Sequence, residues 1–214
     1  MALWAAALLV TSCDGGGDSV PPAPAAPDVL YADDFDDPGS GWLGEEGAVE
    51  LPYAAARIAD GGLEVRITKD ALFYTTSTEA TGARSLSKIG DVVVRVDAAA
   101  TEDPEEDLLM GLVCRHDPKA SSGYILRVAT DGSYQITRMK EGAPTALEQG
   151  RVQFDPAKVS LRAECRGPRL TLFVDDEKVA SVRDDRYVTG AVGMFTAGST
   201  GSSVRYDNLV IDEP

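Results

Sequence analysis

The sequence predicts an all-β fold, an antiparallel two-sheet β-sandwich or jelly roll, and three observations predict it. Apolar and polar residues alternate in run after run beyond Asp28. Turn-forming pairs separate those runs at short intervals, and no stretch sustains a 3.6-residue apolar period. Many short strands with no helices between them can bury their apolar faces only against another sheet.

In chain order the runs are "GLEVRIT" (62–68), "DVVVRVDA" (91–98), "GYILRVAT" (123–130), "SYQITRMK" (133–140), "VSLRAEC" (159–165) and "RLTLFVD" (169–175). Valine, isoleucine, threonine and tyrosine dominate them, the residues that suit a half-buried pleated surface. Asp60-Gly61-Gly62, Asp131-Gly132, Glu141-Gly142, Gly167-Pro168 and Asp175-Asp176 supply the turns. The best candidate for a helical turn is "DPAK" at 155–158, and there is no internal repeat.

The first 28 residues follow a different logic. "ALWAAALLV" (2–10) is an apolar run of signal-peptide length, too short to span a bilayer. Val10-Thr11-Ser12-Cys13 after it resembles the lipobox of bacterial lipoproteins, which implies cleavage before Cys13 and lipidation of that cysteine. "DGGGDSVPPAPAAPD" (14–28) cannot form a core; its glycines give flexibility and its prolines stiff extension. The chain therefore parses as a signal peptide (1–12), a lipidated cysteine and tether (13–28), and a β-jelly-roll domain (29–214). That parsing places the protein in the bacterial cell envelope, anchored to a membrane by lipid, with its domain extracytoplasmic.

With 35 acidic against 20 basic residues the net charge is −15. Such a field repels polyanions and argues against a nucleic-acid partner. The densest acid run, "TEDPEED" (101–107), contains a proline and reads as a solvated loop. A Ser-His-Asp triad needs a histidine, and the one available, His116, follows a strand end beside Asp117 and Pro118, where a loop role is the simpler reading. No CxxC spacing points to zinc. Along their runs, Leu108, Met110, Leu112 and Cys114 share one face, as do Val159, Leu161, Ala163 and Cys165. Both cysteines thus face the core, where they form either a Cys114–Cys165 disulfide or two buried thiols; export favours the disulfide.

The ordered series "DDFDDPGSGW", "DGGLEVRIT", "GLVCR", "GYILRVATDGSYQITR", "LRAECRGPRLTLFVDDEKVASV", "GAVGMFT" and "VRYDNLVI" resembles the concanavalin A-like lectin/glucanase superfamily, and in particular laminin-G-like jelly rolls on bacterial lipoproteins. The resemblance implies a concanavalin A-like sandwich and says little about function, because that superfamily holds glycosidases, lectins and plain interaction domains. Its glucanases carry a Glu-x-Asp-x-x-Glu pattern on one strand, and no strand run here has it. The resemblance also implies a structural calcium where the first and last strands meet, with ligands at Asp34 and Gly61, through their main chain, and at Asp207.

Arg66, Arg95, Arg115, Arg127 and Arg162 fall opposite the apolar positions of their own strands, in company with Glu64, Asp97, Glu164, Gln135 and Thr137. Either these are cross-strand pairs on a solvated face, or they form a groove for sugar hydroxyls. In the second case Trp42, Tyr74, Tyr124 or Tyr187 would supply a stacking ring. The ligand-binding candidates are Arg66, Arg95, Arg115, Arg127, Arg162, Glu164 and Tyr124. The expected function is non-catalytic binding of a glycan. A protein-interaction or structural module with a cell-envelope partner is the alternative, and a divergent glycosidase is disfavoured. Intact mass of membrane-extracted protein is expected to show an acylated chain beginning at Cys13; an unmodified full-length chain would refute the anchor.

Overall fold

The computed structural model describes residues 28–44, 46–69, 71–76, 86–101 and 108–214. The leader, Cys13, the tether up to Pro27 and residues 102–107 of the acid run lie outside the described residues. Among those described, the strands run in chain order β1 (Val29–Asp33), β2 (Ala48–Glu50), β3 (Ala54–Ile58), β4 (Leu63–Ile67) and β5 (Ala71–Thr76). Next come β6 (Val92–Thr101), β7 (Leu109–Asp117), β8 (Ser122–Ala129), β9 (Ser133–Lys140) and β10 (Ala143–Arg151). The last five are β11 (Val159–Arg166), β12 (Arg169–Val174), β13 (Glu177–Arg183), β14 (Ala191–Gly198) and β15 (Ser203–Asp212). Short 3-10 turns at Pro38–Ser40 and Leu86–Lys88 are the helical elements among the described residues. "DPAK" forms one hydrogen-bonded turn, Lys158 N–H donating to Asp155 O at 3.0 Å.

Two sheets form, both wholly antiparallel. A nine-stranded sheet runs β13-β12-β11-β6-β15-β4-β3-β2, with β1 pairing the second half of β15; a six-stranded sheet runs β10-β9-β8-β7-β14-β5. This is the jelly-roll sandwich that the alternating runs predict. The turn signals act as expected. At Glu141-Gly142 and again at Asp175-Asp176 both residues have positive φ, the geometry whose twist matches a two-residue hairpin. The inner faces of the two sheets close on one core containing Val94, Val96, Leu161 and Leu172 from one side and Leu112, Leu126, Val128 and Met194 from the other. Trp42 and Tyr206 are fully buried in it. Tyr206 of β15 reaches across the sandwich, its hydroxyl donating to Phe195 O on β14 at 2.6 Å.

One covalent tie joins the sheets. Cys114 of β7 and Cys165 of β11 form a disulfide, Cα atoms 6.8 Å apart. Beside it the alternation of β7 breaks. The register with β8 shifts between Cys114 and Asp117, and Arg115 takes φ 53°, so that two successive side chains point inward. Arg115 is therefore a correction to the sequence reading: its guanidinium is buried, not displayed on an outer face. It donates to Gly90 O (3.1 Å), Tyr187 O (3.1 Å), Cys165 O (3.4 Å) and Asp91 Oδ1 (3.2 Å). A Cβ on Gly190 would stand 2.3 Å from the carbonyl carbon of Arg115, so the neighbouring strand can approach the bulge only with glycine there.

Tyr124 is a second correction, because its ring is fully buried in the core. The hydroxyl donates to Asp184 Oδ1 at 2.5 Å and accepts Tyr187 N–H at 3.0 Å. Arg138 Nη1 holds the other oxygen of Asp184 at 2.6 Å. Burial alone would raise the Asp184 pKa, but the bonds from Tyr124, Arg186 N–H and Arg138 outweigh it and hold the carboxyl below its ordinary value.

Two predictions follow from these ties. Replacing both Cys114 and Cys165 by alanine is expected to lower unfolding free energy by about 4 kcal/mol, from the chain entropy of a 51-residue separation. An unchanged denaturation midpoint would contradict it. Burial, then the bond to Asp184, pushes the Tyr124 hydroxyl up to about 12, and burial raises Tyr31 and Tyr206 as well. Unfolded tyrosine ionises near pH ~10, so above that pH the unfolded chain sheds protons that the folded one keeps. Stability is thus complete below about pH 10 and falls as pH rises towards about 12. Denaturation midpoints across that range should decline, and less steeply in Tyr124→Phe.

Candidate functional site

The remaining binding candidates divide between two surfaces. Arg66, Arg95, Arg162 and Glu164 lie on the outer face of the nine-stranded sheet, where three of them are already partnered. Arg95 pairs with Asp212 and Arg162 with Glu164, and the Arg162 guanidinium lies 3.5 Å from the centre of the Phe173 ring. Arg66 is exposed. Arg127 stands apart on the outer face of the six-stranded sheet, so the candidates do not form one groove. Nor does Trp42 offer a stacking surface, being buried against Tyr31 with ring centres 5.3 Å apart. Tyr187 is half-buried and meets Tyr124 edge-on.

The residues named for calcium have local partners of their own. Asp34 Oδ1 accepts Asp36 N–H at 3.2 Å, and Asp207 Oδ1 accepts Asn208 N–H at 2.7 Å. Against the Gly61-Gly62 turn lies another cation, the guanidinium of Arg205, which donates to Asp60 O and, at 3.3 Å, to Ala59 O. A Cβ on Gly62 would come within 2.6 Å of Arg205 Cζ. Among the described residues no group of three or more His, Cys, Asp or Glu side chains is gathered for a metal.

The outer face of the six-stranded sheet has a different character. Strand pairing sets one row straight across it: Gln149 on β10 opposite Gln135 on β9, Arg127 on β8, Gly111 on β7, Phe195 on β14 and residue 74 on β5. The polar half of this row is hydrogen-bonded side chain to side chain. Arg127 Nη2 donates to Gln135 Oε1 at 3.0 Å, Thr137 Oγ1 donates to the same oxygen at 2.8 Å, and Gln135 Nε2 donates to Gln149 Oε1 at 3.2 Å. The apolar half belongs to a second cluster of Val113, Ile125, Met139, Phe195 and Ala197, separate from the main core.

A cleft of about 330 Å³ opens at the polar half, lined by Arg127, Ser133, Tyr134, Gln135, Gln149, Gly150 and Arg151. Gly150 gives the Tyr134 ring its place, since a Cβ there would meet the phenol oxygen at 2.6 Å. Arg151 pairs with Asp131 at 3.5 Å and also lines an adjoining cleft of about 680 Å³ with Thr130, Gln153 and Phe154. The bonds from the Ser133 N–H and side chain, then the charges of Arg151 and Arg127, hold the Asp131 carboxyl below its ordinary pKa. The sequence reading found Arg127, Gln135 and Thr137 here but missed Gln149, because β10 is exposed along nearly its whole length and shows no alternation. The Glu141-Gly142 turn signal followed by a run of strand length was the available clue.

No protein-family model matches the sequence, and no curated protein does. Solved structures do resemble it in fold. A protein of unknown function with a galectin-like fold from Bacillus subtilis is 11% identical with a TM-score of 0.65, over 87% of this chain and 96% of that one. The carbohydrate-binding module CBM66 from Bacillus subtilis is 15% identical with a TM-score of 0.53, over 87% and 95%. The β-glucanase of Bacillus licheniformis is 9% identical with a TM-score of 0.60, over 87% and 98%. The fold is thus that of the galectin-like and concanavalin A-like jelly rolls, a class whose solved members here include both a binding module and a glucanase.

With Arg205 on the turn carbonyls, the melting temperature is expected to be the same in calcium and in chelator. Arg205→Ala should cost about 1–2 kcal/mol by leaving those carbonyls without their donor. A marked rise in melting temperature on adding calcium would overturn this assignment.

Proposed function

We propose that the chain is a membrane-anchored, non-catalytic carbohydrate-binding domain of the bacterial cell envelope, holding its glycan at Arg127, Gln135 and Gln149. The observation that carries this reading is the row of planar polar groups, Arg127, Gln135 and Gln149, fixed in register on one outer face. Amides and a guanidinium present donors and acceptors in one plane, the arrangement that pairs with neighbouring sugar hydroxyls. The lipobox-like Val10–Cys13 and the tether after it support the anchored placement.

The non-catalytic part rests on the carboxylates. Strands β7, β8, β9 and β14 carry one between them, Asp117 at the exposed end of β7, so acid and nucleophile cannot both stand on these strands. A protein partner is less favoured. The exposed large apolar residues Val29, Leu51, Tyr53 and Val188 are spread over separate segments of the chain, and isolated residues of this kind are ordinary on a protein surface.

The test is binding of the full chain to an array of bacterial and plant polysaccharides. Arg127→Ala and Gln135→Ala should each weaken binding by roughly tenfold, the worth of a hydrogen bond to a charged or fixed group. Arg162→Ala, on the other sheet, should leave it unchanged. A blank array, or loss of binding with Arg162→Ala alone, would overturn the proposal.

A further inference from the structure

Arg127 at this cleft differs from Arg95, Arg115 and Arg162 in what balances its charge. Arg95, Arg115 and Arg162 each have a carboxylate within ion-pair distance, supplied by Asp212, Asp91 and Glu164. Arg127 is half-buried, yet among the described residues its side-chain partner is a neutral amide, Gln135. The nearest acid acting on it is Asp131, whose own oxygens are taken by Ser133 N–H at 2.8 Å and by Arg151. Burial lowers the Arg127 pKa, which reports a cation partly stripped of water without full compensation.

A half-buried cation next to an open cleft gains most from a ligand that brings a negative charge. One donor on Nη2 is occupied by Gln135, and the guanidinium keeps further donors for a planar carboxylate, its best-matched partner. The same cleft offers a neutral donor and acceptor beside that point, the amide of Gln149, suited to hydroxyls.

Resting on the carbohydrate reading above, we infer that the ligand is an acidic glycan, one whose sugar carboxylate docks on Arg127 while neighbouring hydroxyls meet Gln135 and Gln149. The overall charge of −15 narrows this further. A continuous polyanion would meet repulsion along its length, whereas a single acidic sugar among neutral ones meets the local cation, and charges beyond about 8 Å are largely screened at physiological salt. The inferred ligand is therefore an oligosaccharide with an isolated uronic-acid-type residue.

The experiment compares binding of the full chain to mixed neutral and uronate-containing oligosaccharides with binding to the same oligosaccharides after chemical reduction of the carboxyl to a hydroxymethyl group. Linkage and ring are kept, and only the charge is removed. The expected result is a loss of about tenfold or more on carboxyl reduction, as for a charge-assisted bond. Arg127→Gln should abolish that difference between the two forms. Gln149→Ala, at an exposed position, should weaken both forms alike and serves as a well-folded control. Equal binding of the acidic and reduced forms would overturn the acidic-ligand inference and leave the carbohydrate reading standing. Binding of neither form would overturn both.

Discussion

The bulge at Arg115 is the constraint on which this end of the sandwich depends. Extended backbone must send alternate side chains to opposite faces, and at Arg115 the chain departs from that rule to bring a charge inward. A buried guanidinium is tolerable only if its donors are met, and here they tie together three separate places: the approach to β6 at Gly90 and Asp91, β11 at Cys165, and the loop before β14 at Tyr187. The Cys114–Cys165 bond lies next to it and fixes the same two sheets covalently. The loop before β14 is held again from the other side, where Tyr124 and Arg138 share Asp184. Strands β8 and β9 are thereby pinned through their inward residues. Arg127 and Gln135 stand on the outward positions of those same strands, so the joint in the core sets where the cleft groups point.

Much of this was readable in the chain, and the failures have physical causes. Alternation and turn pairs gave the strands, since a strand with one buried face must alternate and a two-residue hairpin must use residues that accept positive φ. The inward parity of Cys114 and Cys165 placed both in the core; their pairing depended on β7 and β11 facing each other across the sandwich, which no count along a strand can show. Arg115 was misplaced because a bulge adds one residue to one strand and shifts parity without any mark in composition. Tyr124 was misplaced for a lesser reason. It shares parity with Leu126 and Val128 and opposes Arg127, so alternation alone already put its ring inside. The row Gln149–Gln135–Arg127–Gly111–Phe195 crosses five strands, and only the register of their pairing reveals it.

At the place where the resemblance puts a calcium, the turn already has a cation against it. A turn that exposes carbonyl oxygens next to the last strand needs positive charge near it, and a metal or a guanidinium can supply that. Here β15 carries Arg205 at the position whose side chain lies over the turn, and Gly61-Gly62 leaves the room for it. A resemblance reports the kind of need at a place in a fold; the residues present decide how it is met.

The similarity to solved structures at 9–15% identity shows how little of a jelly roll's sequence its fold constrains. Inner faces must be apolar and of roughly the right volume, a demand that many sequences meet. Outer faces carry almost no such demand, which is why one architecture serves both a carbohydrate-binding module and a glucanase. What separates such proteins is the chemistry of a few outward positions on the central strands. In this chain those positions hold amides, a hydroxyl, an arginine and glycines in place of paired carboxylates. Groups of that kind offer donors and acceptors in fixed orientation, which is the chemistry that holds neighbouring hydroxyls. The chemistry of such a fold is thus set on its outer faces, independently of the core that supports them.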